Sequence, residues 1–287
     1  MFFLAEYQLY NDDCLKRLKL LPENSIDLVV CDLPYGTTSA YWDVPIQMND
    51  FIMWNGKKME FPDFMFEQYK RQVPLQETIN LFEKNKQLGL WSLYDRVVKP
   101  NGAILLFGVE PFSSTLRNSN LENYRYDIYW EKERLTNVQQ VKKRVGKTVE
   151  TISVFYKQQP TYNPQMIAYD GPKRRNTVKD GTLGSLVDNK TKKAVPYVDK
   201  GVRYPTQVWK YAREFLKEEH FATQKPLKLL QALILTFSNE GDTVLDNTMG
   251  MGSTGRAALS LNRNFIGIEL NKEHFDKAKS SIENFMI

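Results

Sequence analysis

Cysteine and histidine are nearly missing from this chain of 287 residues, with two of each: Cys14, Cys31, His220 and His274. Two cysteines make no disulfide framework, and with two scattered histidines they supply no Cys/His metal cage. A metal-centred mechanism is therefore not expected, and no residue is assigned to a metal. Long apolar runs are missing too, since no stretch approaches the ~20 residues that cross a bilayer. The opening MFFLAEYQLYNDD carries neither a basic leader nor an extended apolar core, so it does not read as a signal peptide. The expected compartment is the cytosol, with no membrane partner. Internal repeats are absent. A strong charge of one sign is lacking as well: 39 Lys and Arg stand against 34 Asp and Glu, a net +5. Such a balance permits nucleic-acid binding without arguing for it, so the distribution of charge matters more.

What is present is a globular composition, 42% hydrophobic and 25% charged, which can bury a core. The length suits one α/β domain with a sizeable insertion. Tyr7 to Tyr10 reads as a short strand. Cys14 to Leu21 has Leu15, Leu18 and Leu21 at helical spacing, with Asp12 or Asp13 able to cap it. IDLVVC, Ile26 to Cys31, is a nearly continuous β-rich run, as a parallel strand covered on both faces should be. Tyr41 to Pro74 shows no clean period and reads as a loop or insertion beside the site. Leu75 to Val98 has a helical pattern, Lys99 to Gly102 is a turn, and Ala103 to Gly108 is a buried strand. Tyr126 to Glu131 and Thr151 to Tyr156 read as strands, with Lys132, Arg134, Lys142, Lys143, Arg144 and Lys147 between them. Later, Gln224 to Phe237 reads as an amphipathic helix with Pro226 in its first turn. Thr243 to Asp246 and Phe265 to Glu269 read as strands, and Arg256 to Leu261 and Glu273 to Phe285 as helices.

Two motifs carry chemistry. In TVLDNTMGMGSTG, Thr243 to Gly255, a buried strand ends on Asp246 and a glycine-rich turn opens a helix. Glycines such as Gly250 and Gly252 let backbone approach a ligand, and the helix start at Ser253 and Thr254 presents unpaired N–H groups. The next strand ends on Glu269, where an acid can accept from ribose hydroxyls. A structural βα turn would explain the glycines alone, but the acid at each strand end favours a nucleoside cofactor. No Lys-Ser/Thr pair follows the glycines, so this is not a P-loop. An acid before the glycines repels pyrophosphate and suits a cationic ligand; S-adenosylmethionine carries both a sulfonium and an α-ammonium. The second motif is Asp32-Leu33-Pro34-Tyr35, directly after IDLVVC. A carboxylate, a constrained backbone and an aromatic face suit a planar base bearing an amino group. Asp32 can accept one N–H, the Leu33 carbonyl the other, and Tyr35 can stack. Four such residues alone read better as an ordinary strand-end turn.

Together these motifs resemble the amino-group DNA methyltransferases. Asp32-Leu33-Pro34-Tyr35 resembles their D-P-P-Y catalytic motif, LDNTMGMGST their D-P-F-x-G-S-G-T cofactor motif, and Thr223-Gln224-Lys225-Pro226 their T-Q-K-P. The order, catalytic motif before cofactor motif, is the β arrangement, and the resemblance runs from about Tyr7 to Glu283. Leu33 stands where the family has proline, where only a backbone carbonyl is needed; Asn247-Thr248 replace Pro-Phe, and Met251 replaces Ser.

The resemblance implies a Rossmann-like S-adenosylmethionine-dependent fold. Its sheet is mostly parallel and seven-stranded, circularly permuted, with an inserted target-recognition region. It implies residues 1–157 as a catalytic half, 158–208 as target recognition and 209–287 as a cofactor half. It assigns Asp32, Leu33, Pro34 and Tyr35 to catalysis. To the cofactor it assigns Asp13, Gln224, Lys225, Pro226, Asp246, Asn247, Thr248, Gly250, Gly252, Ser253, Thr254 and Glu269. The implied reaction is methylation of N6 of adenine in double-stranded DNA, since Asp in the first motif position leans to adenine. N4-cytosine methylation is the nearest rival, followed by a DNA-binding relative without catalysis. A dinucleotide oxidoreductase is disfavoured by the acid-first glycine loop. A homodimer and a cognate restriction endonuclease are further implied partners. Residues 170–203 hold nine basic residues against four acidic, a local excess equal to that of the whole chain. Lys173, Arg174 and Arg175 are therefore candidate DNA contacts, with Lys142, Lys143 and Arg144 as a second group. A solvated loop is the plain alternative.

Overall fold

The computed structural model describes residues 5–36, 43–171, 200–213 and 224–286. Two compact units result, one spanning Met1–Asn163 with Gln207–Ile287 and the other Pro164–Thr206.

In the larger unit, the elements in chain order are β1 (Tyr7–Asn11), α1 (Cys14–Leu18), β2 (Ile26–Cys31), β3 (Phe51–Trp54), β4 (Lys57–Glu60), α2 (Phe61–Lys70), α3 (Leu75–Asn85), α4 (Leu90–Val97), β5 (Val98–Gly108), α5 (Phe112–Asn118), β6 (Tyr124–Glu131) and β7 (Val149–Phe155). The smaller unit contributes β8 (Ile167–Ala168) and β9 (Val202–Arg203). The larger then resumes with β10 (Val208–Lys210), α6 (Leu227–Phe237), β11 (Thr243–Asp246), α7 (Ser253–Leu259), β12 (Asn264–Glu269) and α8 (Lys272–Met286).

The central sheet runs β1-β12-β11-β2-β5-β7-β6-β10. All its neighbouring pairs are parallel except β5·β7 and β6·β7. It has eight strands among the described residues, where seven were expected. The extra one is the three-residue edge strand β10, held by the Tyr129 amide donating to the Gln207 carbonyl at 2.7 Å and the Trp130 indole donating to the Tyr211 carbonyl at 2.8 Å. A strand that short has no period to read.

Side chains alternate across the sheet as the pleat requires. On one face Leu28, Val30, Ala103, Leu105 and Phe107 pack with Leu229, Leu233, Ala257 and Ile282 from α6, α7 and α8. On the other, Val29, Cys31, Ile104 and Leu106 pack with Leu18, Leu90, Leu93, Tyr94 and Val97 from α1 and α4. This three-layer arrangement puts covered strands at the centre, which is why IDLVVC and TVLD are apolar in their middles, with Asp27, Thr243 and Asp246 towards their ends.

Three local readings need correction. The segment after residue 43 is not a loop: β3 and β4 form an antiparallel hairpin, and α2 and α3 fold onto it around Ile52, Phe64 and Phe82. The helical pattern from Leu75 to Val98 is two helices. They are parted at Gly89, where a Cβ would lie 2.4 Å from the Asn49 backbone and whose amide donates to Asp50 at 2.9 Å. Lys99 to Gly102 sits inside β5 as an irregularity, where the register with β2 shifts between Ile26 and Leu28. In addition, Pro226 caps α6 from one residue outside its first turn, and most of that helix is buried.

In the smaller unit β8 and β9 pair antiparallel, Ile167 opposite Arg203, and the Arg203 guanidinium lies 4.0 Å from the Tyr169 ring centroid. Among the described residues no helix is long and apolar enough to cross a membrane.

Candidate active site

Parallel strands end together. β2 lies beside β11, with Leu28 opposite Val244 and Val29 opposite Leu245, so Asp32 and Asp246 emerge at one edge of the sheet. β11 pairs with β12, and β12 with β1, with Asn11 opposite Glu269, which adds Glu269 and Asp13 to the same edge. The chain winds outward in opposite directions from β2 and β11, making their junction a switch point where such sheets form a crevice.

Thr248 ties the two motifs across that crevice. Its hydroxyl donates to the Asp32 carbonyl at 3.0 Å and lies 2.9 Å from Cys31 Sγ, while its amide donates to Asp246 Oδ1 at 3.1 Å. Asp246 is buried, and that burial pushes its carboxyl up to about 7 against the lowering effect of Thr254 and Thr248. The next residue, Asn247, accepts from the Tyr94 hydroxyl at 2.5 Å.

Gly250 and Gly252 have φ of +52° and +75°, a left-handed backbone that glycine adopts at no steric cost. Gly252 caps α7, whose first residues Ser253 and Thr254 are buried. Glu269 accepts from the Gly250 amide and from the Asn271 amide, each at 2.9 Å, and so shapes the glycine loop. Asp13 caps α1, accepting from the Lys16 amide at 3.0 Å.

Asp32 has a different neighbourhood. Tyr35 donates its hydroxyl to Asp32 Oδ1 at 2.5 Å, and its ring lies 4.9 Å from that of Phe112. Burial, and then the Asp32 charge, hold the Tyr35 hydroxyl well above its ordinary range, so it stays a donor. Leu33 is buried, which fixes the backbone beyond Asp32, and Pro34 follows half-buried.

Lys225, grouped by its motif with the cofactor residues, lies against Asp32: its Nζ is 2.6 Å from Oδ2 and 3.5 Å from Glu150 Oε2. Glu150 pairs in turn with Lys132. Burial alone would lower the Lys225 ammonium, but Asp32 and Glu150 outweigh it and its pKa is raised. Burial would raise Glu150, but the two lysines outweigh it and the carboxyl is lowered. For Lys132 burial wins, and its pKa is lowered. Gln224 and Pro226 flank Lys225 just before α6.

Glu150 and Lys132 were not among the sequence-derived candidates. Lys132 stands first in a run of basic residues, and no motif marks Glu150. The available signal was an acid at the head of one strand of a hairpin and a base at the tail of the other.

Lys142, Lys143 and Arg144 are exposed on the loop between β6 and β7, together with Val138, Val141 and Val145. Since β6 runs parallel to β5 and β2, this loop leaves the same sheet edge as Asp32. Lys173, Arg174 and Arg175 lie outside the described residues. Both cysteines are free thiols, and burial pushes Cys14 up to about 11 and Cys31 well above its ordinary range. Neither is an activated nucleophile. Among the described residues no cluster of His, Cys, Asp and Glu is arranged to hold a metal ion.

Comparison with known proteins agrees with this geometry. The chain is 28% identical to the DNA adenine methyltransferase YhdJ of Escherichia coli (strain K12), over 91% of this chain and 78% of that one. It is 24% identical to the Type II methyltransferase M.HindIII of Haemophilus influenzae, over 92% and 91%. In fold it matches the M1.HpyAVI–SAM complex with a TM-score of 0.53 at 22% identity, covering 96% of this chain and 99% of that one. It also matches the cytosine-N4-specific PvuII DNA methyltransferase with a TM-score of 0.55 at 16% identity, covering 98% and 91%. A family model for N6- and N4-acting enzymes, described as DNA methylase, matches residues 26–280. With that match spanning both strand-end motifs, the chain belongs to the N6/N4 DNA methylase family.

Proposed function

We propose that this member of the family methylates N6 of adenine in double-stranded DNA, with S-adenosylmethionine as donor. The observation that carries the reading is the meeting of Asp32 and the Asp246 glycine loop at adjacent parallel strands, joined through Thr248. A buried acid that burial holds near neutrality favours a cationic partner, and the bend at Gly250 and Gly252 leaves backbone open to approach. These residues fit the methionine end of the donor, whose sulfonium supplies an electrophilic methyl when bound. Glu269 and Asp13, at the ends of the next two strands, fit its ribose and adenine.

The residues of the chain then act on the base. A duplex hides the amino group, so the base is flipped out at a cost of a few kcal/mol. Tyr35 stacking, roughly 1–3 kcal/mol, offsets part of that. Asp32 and the Leu33 carbonyl accept the two amino N–H bonds. This favours a pyramidal nitrogen and stabilises the positive charge it gains as the new N–C bond forms and the methyl–sulfur bond breaks to leave a neutral thioether, before one amino proton passes to Asp32 and on to solvent. Adenine is supported by Asp32 in the first motif position and by the relative named as an adenine methyltransferase. DNA contact is assigned to Lys142, Lys143 and Arg144, and to Lys173, Arg174 and Arg175, with residues 158–208 as the target-recognition region. Relatives named Type II methyltransferases support a cognate restriction endonuclease as a partner.

Asp32→Ala tests the assignment. Transfer of tritiated methyl to unmethylated DNA should be lost while calorimetric S-adenosylmethionine affinity stays within a few-fold. Turnover near that of the parent enzyme would refute it.

A further inference from the structure

Four buried or half-buried charges form a line of alternating sign: Lys132, Glu150, Lys225 and Asp32. Side-chain exposure is low for the first three, 7% at Lys132, 14% at Glu150 and 10% at Lys225, and reaches 30% only at Asp32. Only the final member is open to a substrate.

Burying ion pairs is costly, and apolar residues of the same volume often stabilise a fold as well or better. This line does not follow the core. It runs from the β6–β7 hairpin, through the lysine that precedes α6, to the carboxylate after β2.

A lysine alone would hold Asp32 poorly, because its ammonium rides on a flexible four-carbon stem. Here its Nζ lies over the Phe107 ring, 5.1 Å from the centroid, and Glu150 pulls the ammonium from behind. Glu150 is fixed in turn by Lys132, whose amide donates to the Thr148 carbonyl at 2.8 Å across the hairpin.

We propose that Glu150 is a positioning residue for methyl transfer, holding Lys225 so that Lys225 locks Asp32 through Oδ2 and leaves Oδ1 for the amino group of the base. This rests on the reading of Asp32 as the amino acceptor.

Two consequences follow from the two oxygens. Lys225 serves the catalytic carboxylate and not the cofactor pocket. Tyr35, which donates to Oδ1, keeps the place of the amino group at rest and gives it up when its ring turns to stack on the base.

The test compares Glu150→Gln, Lys225→Met and the charge-balanced pair Glu150→Gln/Lys132→Met, with Asp32→Ala as control. Initial rates of tritiated methyl transfer into unmethylated phage DNA give kcat and KM, calorimetry gives S-adenosylmethionine affinity, and thermal melting reports folding. Glu150→Gln should lower kcat roughly 10- to 100-fold, the scale expected for misplacing a reacting group. Cofactor affinity and KM for DNA should stay within about 3-fold. Glu150→Asp should recover part of the rate. Adding Glu150→Gln to Lys225→Met should cost little more than Lys225→Met alone, since both act through Asp32. If Glu150→Gln does not fold, the charge-balanced pair, which leaves no uncompensated charge, gives the same reading.

Full kcat in folded Glu150 variants would overturn the proposal. So would an unchanged kcat in Lys225→Met with weakened cofactor binding, which would return Lys225 to the cofactor pocket. An active Asp32→Ala would instead overturn the underlying site assignment.

Discussion

Asp246 and Asp32 show how two carboxylates at the ends of neighbouring strands come to sit in different surroundings. Asp246 is buried with neutral partners and is pushed up to about 7, whereas Asp32 is part-exposed and paired with Lys225. An unfolded aspartate titrates near ~3.9, so between that value and about 7 the folded chain holds a proton that the unfolded chain has lost. The stability contributed by that proton is greatest in acid and disappears as pH rises to about 7, with no further change above. Asp246→Asn keeps the acceptor for the Thr248 amide and removes the charge. It should therefore raise stability above pH 7 by on the order of 2–4 kcal/mol, with the gap narrowing as pH falls and closing near ~4, as read by denaturant titration. The same variant should bind S-adenosylmethionine more weakly and lose the tightening expected as pH rises from 6 to 8. A gap that does not depend on pH would show that Asp246 is not the titrating group. For Tyr35, Tyr35→Phe keeps the ring and should transfer methyl groups within a few-fold of the parent. Tyr35→Ala should lose roughly 5- to 150-fold, the equivalent of about 1–3 kcal/mol of stacking. Equal rates for the two would mean that the ring does not stack.

At the scale of elements, most of what builds the site was legible in the sequence, and the reasons are particular. IDLVVC and TVLD are covered on both faces, and such strands announce themselves by unbroken β-rich runs, so β2 and β11 have the bounds the sequence implies. The segment around β3, β4 and α2 was illegible because its small core rests on three aromatic and aliphatic residues, Ile52, Phe64 and Phe82, contributed by separate elements. Gly89 hid a helix start, since its reason for being glycine is the Asn49 backbone, 40 positions back in the chain. The ion pair of Lys225 with Asp32 joins residues 193 positions apart, and no periodicity records a contact of that kind. The loop between β6 and β7 carries its own prediction. Replacing Lys142, Lys143 and Arg144 together by alanine should weaken DNA binding and reduce the slope of log affinity against log salt by about 2–3 units. Cofactor affinity should stay the same. An unchanged salt slope would make this cluster ordinary surface.

For the whole molecule, the circular permutation gives the chain its logic. The strand that leads to Asp32 comes early in the sequence and the strand that ends on Asp246 comes late, yet parallel pairing of β2 with β11 makes them neighbours; residues 164–206, which lie between them in the sequence, form a compact unit of their own. In the proposed reading, the basic excess of that stretch in the sequence faces a polyanionic partner. The central claim is that Asp32 presents an adenine amino group for methylation. The most direct measurement is mass spectrometry of nucleosides from DNA of methylation-free cells expressing this chain, beside cells expressing Asp32→Ala. The account predicts N6-methyladenine with the parent chain and none with the variant; N4-methylcytosine in its place, or no modified base at all, would contradict it.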